Sequence, residues 1–103
     1  MEAALKAIAE PRRRDILRLV LHREMTAGAI ASRFDITRPA ISQHLRVLKD
    51  SGLLSERREG TRRLYLARIE GLAEAKAFLE QLWDERLPKL KREAEKEARR
   101  RGH

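Results

Sequence analysis

The 103-residue sequence predicts a mainly α fold with one small β-hairpin and a long final helix. Three observations predict it. Apolar residues recur at helical spacing up to about residue 50. The period then changes to strand-like alternation on either side of Gly60, and a helical pattern resumes from Glu70. The length leaves room for one modest core, so 1–103 is read as a single domain.

The first stripe, Ala4, Leu5, Ala7 and Ile8, is too short to form a stable helix alone and must pack on another element. Pro11 suits the first position of a second helix, with Ile16, Leu17, Val20 and Leu21 inward and an end expected near 22–24. Arg12, Arg13 and Arg14 crowd its first turn, against the macrodipole preference for acids, which points to an outside anion. Thr26 caps a third helix that turns Ile30, Ala31 and Phe34 inward. Asp35 tolerates the left-handed conformation expected at the next turn, and Ile36 plugs that turn.

Thr37 then caps a fourth helix over about 37–50, with Pro39 in its first turn and Gly52 just past its end. Two short helices joined by a tight turn form a helix-turn-helix. Ile41, Leu45 and Leu48 make the buried stripe of this fourth helix. Pro39, Gln43, Arg46 and Asp50 fall on the opposite side and Ser42 on the flank, a polar face suited to a DNA major groove. His44 lies beside the Ile41–Leu45 stripe and reads as a packing residue.

Two strand-like runs over about 54–67 form a wing, with Gly60 at its turn and Leu64 and Leu66 on its buried face. Arg57, Arg58, Arg62 and Arg63 crowd its tip. The last helix, about 70–98, carries a seam of Leu72, Ala75, Leu79, Leu82, Trp83, Leu87 and Leu90. That seam is longer than one small core can cover, which implies a partner helix, most simply that of a second copy alongside Leu5 and Ile8. Pro88 lacks an N–H, so a kink or break is expected near Leu87.

Composition narrows the function. Lys and Arg total 24 against 16 Asp and Glu, a formal net charge of +8 that favours polyanionic partners, nucleic acid before anionic membrane. No apolar run is long enough to span a bilayer and no secretory leader opens the chain, so a cytoplasmic protein is the default. There is no cysteine, hence no disulfide, thiolate ligand or thiol nucleophile. His22, His44 and His103 are scattered over different elements, and no phosphate-cradling glycine loop exists. An enzyme, a metal site and a cofactor are not expected.

The order of these elements resembles the ArsR-type winged helix-turn-helix repressors. The matching residues are Leu5 to Leu17, the recognition segment Arg38 to Leu54 with its run Ser42-Gln43-His44-Leu45-Arg46-Val47-Leu48 leading to Gly52-Leu53, and the wing Arg57 to Tyr65. The resemblance implies a homodimeric transcriptional repressor. It also marks a departure, since metal-sensing members open the third helix with a cysteine motif where this chain has Glu24-Met25-Thr26-Ala27-Gly28-Ala29-Ile30. Other members place His and carboxylate pairs on the last helix, and 70–101 contains no histidine. The chain therefore looks closer to the subgroup that senses no metal, and its effector is not indicated.

Residue chemistry assigns the expected contacts. Gln43 can bond an adenine edge, and Arg46 a guanine or a phosphate. Thr37 and Ser42 suit phosphate, Arg38 at the helix start suits either groove wall, and Pro39 lies on the same exposed face. Arg57, Arg58, Arg62 and Arg63 suit the minor groove or phosphates. Leu5, Ile8, Leu72, Leu79, Leu82, Trp83, Leu87 and Leu90 are the expected dimer interface. The expectation is a repressor of duplex DNA acting as a homodimer on a pseudo-palindromic operator. Alternatives are a DNA-binding regulator controlled by a protein partner docking on the terminal helix, or a metal-gated repressor with His and carboxylate ligands.

Overall fold

Glu10 decides how the first two helices meet. Its extended backbone ends α1 (Glu2–Ala9) and starts α2 (Pro11–Leu19), and its carboxylate accepts the Arg13 N–H at 3.0 Å as an N-cap. The computed structural model describes residues 1–86 and 88–101. Two of the three arginines expected to await an outside anion turn back onto α1 instead. Arg13 Nε donates to the Ala7 carbonyl at 2.8 Å, and Arg14 donates to those of Ile8 and Ala9 at 2.8 and 3.1 Å. The end of α1 has free carbonyls, and these cations satisfy them.

Helix α2 ends at Leu19, earlier than the expected 22–24. The cause is tertiary: Val20 leaves helical geometry and its carbonyl accepts the Ala67 N–H at 2.9 Å. A short strand absent from the sequence expectation follows, β1 (Met25–Thr26), and then α3 (Ala27–Ala31). Thr26 caps α3 as expected, accepting the Ala29 N–H at 3.1 Å. The turn after α3 is made without any left-handed residue. Among the described residues no non-glycine residue has positive φ, so Asp35 does not play the part expected of it. Arg33 and Phe34 instead bond back to the carbonyls of Ile30 and Ala31 at 3.0 and 3.2 Å, a tightened continuation of the helix. Ile36 packs against the core from this turn.

Helix α4 (Arg38–Asp50) matches the expected recognition helix. Thr37 Oγ1 accepts the Ala40 N–H at 3.3 Å. Beyond Ser51, Gly52 adopts φ +82°, and Gly52 and Leu53 donate to the carbonyls of Lys49 and Leu48. That pair of bonds is a full Schellman cap, which requires the left-handed glycine.

The wing is β2 (Leu54–Glu59) and β3 (Arg62–Ala67), antiparallel, with β1 on the other side of β3. Register places Leu54, Tyr65, Ala67 and Met25 on one face, and all four are buried. Leu64 and Leu66, expected inward, lie on the opposite face and are half-buried. Pairing with β1 sets this choice, because Met25 opposite Tyr65 must share its face.

Helix α5 (Ile69–Arg86) touches the core at its start and then leaves it. Ala75 and Gly71 are buried, and Leu72 packs on the core of its own chain. Leu79, Leu82 and Trp83 are 54%, 47% and 67% exposed, so the chain's own core does not cover them. Helix α6 (Pro88–Arg101) begins at the proline that was expected to interrupt the helix. Leu87 and the side chain of Leu90, both assigned to the seam, lie outside the described residues. Among the described residues no helix is long and apolar enough to cross a membrane.

Candidate nucleic-acid interface

The core stripe Ile41, Leu45 and Leu48 anchors α4 and turns its other side outward. Thr37, Arg38, Pro39, Ser42, Gln43 and Arg46 are all exposed. Thr37 spends a lone pair on its cap and keeps its O–H free to donate. His44 leaves this face for the α1–α2 junction. Its Nδ1 lies 3.5 Å from an Arg13 guanidinium nitrogen and 4.0 Å from the Glu10 carboxylate. It packs, as expected.

The wing divides its arginines between two faces. Arg58 stands opposite Arg63 on the face shared with Tyr65 and Glu56. Like charges directly opposed across a strand pair repel. Arg63 has Glu56 at 3.7 Å to offset this. Arg57 projects from the other face and is engaged within the protein. It donates to both oxygens of Glu24 at 2.9 and 3.1 Å and to Glu59 at 3.1 Å. The hydrogen bond from Arg57 holds the Glu24 carboxyl below its ordinary pKa, and the Arg57 guanidinium is correspondingly raised. Arg62 shares Glu59 at 3.2 Å.

Helix and wing face each other across two adjoining clefts. Ser42, Arg46, Lys49, Glu56, Arg63 and Tyr65 line the first. Arg38, Ser42, Thr61, Arg62 and Arg63 line the second, against Thr26 and Gly28. A Cβ at Gly28 would lie 3.3 Å from the Arg38 guanidinium, so that arginine rests close to bare backbone. The geometry therefore brings Arg38, Ser42, Arg46, Arg62 and Arg63 around one groove. Arg57 is placed elsewhere.

Glu56 was missed in the sequence. Its side chain is only 17% exposed and lies between Lys49 of α4 at 3.4 Å and Arg63 of β3 at 3.7 Å, tying helix to wing. Beneath it, burial first and the Glu56 carboxylate second push the Tyr65 hydroxyl above its ordinary pKa, keeping it a neutral donor. Only the register reveals either residue, by setting Glu56 opposite Tyr65 on the core-facing side. Among the described residues no three His, Asp or Glu side chains converge on a point that could hold a metal ion.

A polar helix face beside a basic wing is the geometry of a DNA-reading module, and comparison with known proteins agrees. The model of the bacterial regulatory protein, arsR family, matches residues 10–56, from the N-cap of α2 into β2. The HTH-type transcriptional regulator Rv2034 of Mycobacterium tuberculosis is 38% identical over 82 residues, spanning 80% of this chain and 77% of that protein. The chain belongs to the ArsR family. Its relatives include the transcriptional repressor SdpR of Bacillus subtilis, 47% identical over 60 residues, 58% of this chain and 67% of that one. Solved ArsR-like structures share the fold. One from Rhodococcus superposes with a TM-score of 0.74 at 28% identity, covering 90% of this chain and 91% of that one. The homodimeric winged helix-turn-helix DNA-binding domain of a possible ArsR-family regulator from Mycobacterium bovis gives 0.65 at 36% identity, covering 84% and 80%. As an ArsR-family protein this chain is a DNA-binding transcriptional regulator with a winged helix-turn-helix fold.

Proposed function

We propose that the chain works in the cytoplasm as a homodimeric repressor that reads a pseudo-palindromic operator. The observation that carries the reading is the groove between α4 and the wing. Ser42 and Arg46 line it, Gln43 stands exposed on the same helix, and no hydrogen bond or ion pair engages these three side chains among the described residues. Polar groups left open on a helix face suit base edges, and the surrounding arginines suit phosphates. In this reading Gln43 and Arg46 contact bases. Thr37, Arg38, Pro39, Ser42, Arg58, Arg62 and Arg63 border or hold the backbone, and Arg57 sets the wing's pose through Glu24.

Dimerisation rests on the exposed run Leu79, Leu82 and Trp83, with half-buried Leu5 and Ile8 nearby in the pairing. The homodimeric Mycobacterium bovis domain supports pairing, and the repressor SdpR supports repression. Two copies related by a two-fold axis place their recognition helices about one helical turn of DNA apart. Selection of bound sequences from a random duplex library tests the reading. The expected product is a motif with two inverted half-sites. Recovery of sequences no different from the input library would overturn it.

A further inference from the structure

We infer that the DNA-contacting surface continues around the wing into a third cleft, where Arg23 and Arg33 hold backbone phosphates. The inference rests on the DNA-binding reading above and extends it to residues outside the recognition helix and wing tip. The cleft lies between α3, β1 and the outward face of β3. Arg23, Arg33 and Arg62 line it, with Ser32 and Leu64 between them. Among the described residues no hydrogen bond or ion pair engages the guanidinium of Arg23 or Arg33. The acid at this cleft is Glu24, and Arg57 already occupies both its oxygens at 2.9 and 3.1 Å. The cleft is thus left with uncompensated positive charge.

Continuity identifies the occupant. Thr26 and Arg62 belong both to this cleft and to the groove that holds Arg38, Ser42 and Arg63. A DNA strand lying along that groove carries its charge onward at every nucleotide, and the open arginines stand next along the surface. A free anion would satisfy one guanidinium pair, whereas a polymer of phosphates satisfies the whole track. Such contacts fix the register of the protein on the duplex and carry no base information.

The test is fluorescence anisotropy with a 30-base-pair random-sequence duplex over a range of salt concentrations. The variants are Arg23→Gln with Arg33→Gln and, as a charge-matched control, Arg18→Gln with Lys76→Gln, whose cations are paired with Asp15 and Glu80. Each phosphate contact contributes about 0.9 to the log–log salt slope, so the cleft variant should lose up to about 1.8 per protomer relative to the control. Arg23→Lys with Arg33→Lys should keep the wild-type slope, and thermal melting by circular dichroism should match for all variants. A cleft variant with the slope of the control would overturn the inference while leaving DNA binding intact. Wild-type protein that binds no duplex would overturn the DNA-binding reading itself.

Discussion

Gly71 has no side chain because α5 crosses the turn between α4 and β2 at contact distance. A Cβ there would collide with the Gly52 carbonyl oxygen, and the Leu53 Cα stands 3.5 Å away. Gly71→Ala should therefore cost about 1–3 kcal/mol, the usual range for overpacking a rigid site. It would be read as a lower urea midpoint with an unchanged m-value. In sequence Gly71 is only a poor helix former near the start of a helix, and no local pattern announces the approach of a distant backbone. Gly52 was legible because its role is local: the helix it ends and the bonds it permits are contiguous in the chain. Asp35 shows the limit of such reasoning. Its tolerance for left-handed backbone was real, but two tightened helical bonds turned the chain without it.

Between elements, one polar link attaches the wing to the strand before α3. Glu24 precedes β1, Arg57 sits on β2, and their bidentate pair ties the sheet's two outer strands across its outward face. Arg57 lowers the Glu24 pKa from its ordinary 4.5, so the carboxylate form is favoured in the folded chain. The sign follows: this contribution is present above about pH 4.5 and is lost as pH falls through the lowered folded value. Acidification through that window should shift the Arg57 Nε–H resonance, and Glu24→Gln should reduce the shift to what the Glu59 carboxylate contributes through the other guanidinium nitrogen. A pH-independent resonance in the wild type would contradict the pairing. The wing was legible from Gly60 and the flanking alternation, whereas β1 was not. Two residues are too few for a period, and without β1 the choice of buried face fell on Leu64 and Leu66 instead of Tyr65 and Ala67. The candidate site shared this limit. Exposed helix residues followed from spacing, but the separation of Arg57 from Arg58 and Arg63 needed the register.

At the scale of the molecule, the exposed run on α5 links assembly to recognition. Burying a large apolar side chain contributes about 1.5–3 kcal/mol, so leaving Leu79, Leu82 and Trp83 in water is costly unless a second copy covers them. Leu82→Glu with Trp83→Glu should give monomers by sedimentation and abolish binding to a full operator, although every groove residue is intact. A folded monomer with wild-type operator affinity would refute that coupling. The central claim is that the outward face of α4 reads base sequence. Its most direct test is the affinity of Gln43→Ala for the selected operator and, separately, for random duplex at one salt concentration. Loss of a base-edge contact worth about 1–3 kcal/mol predicts an operator affinity about 5- to 150-fold weaker, with random-duplex affinity nearly unchanged. Equal losses on both duplexes, or none on either, would contradict it.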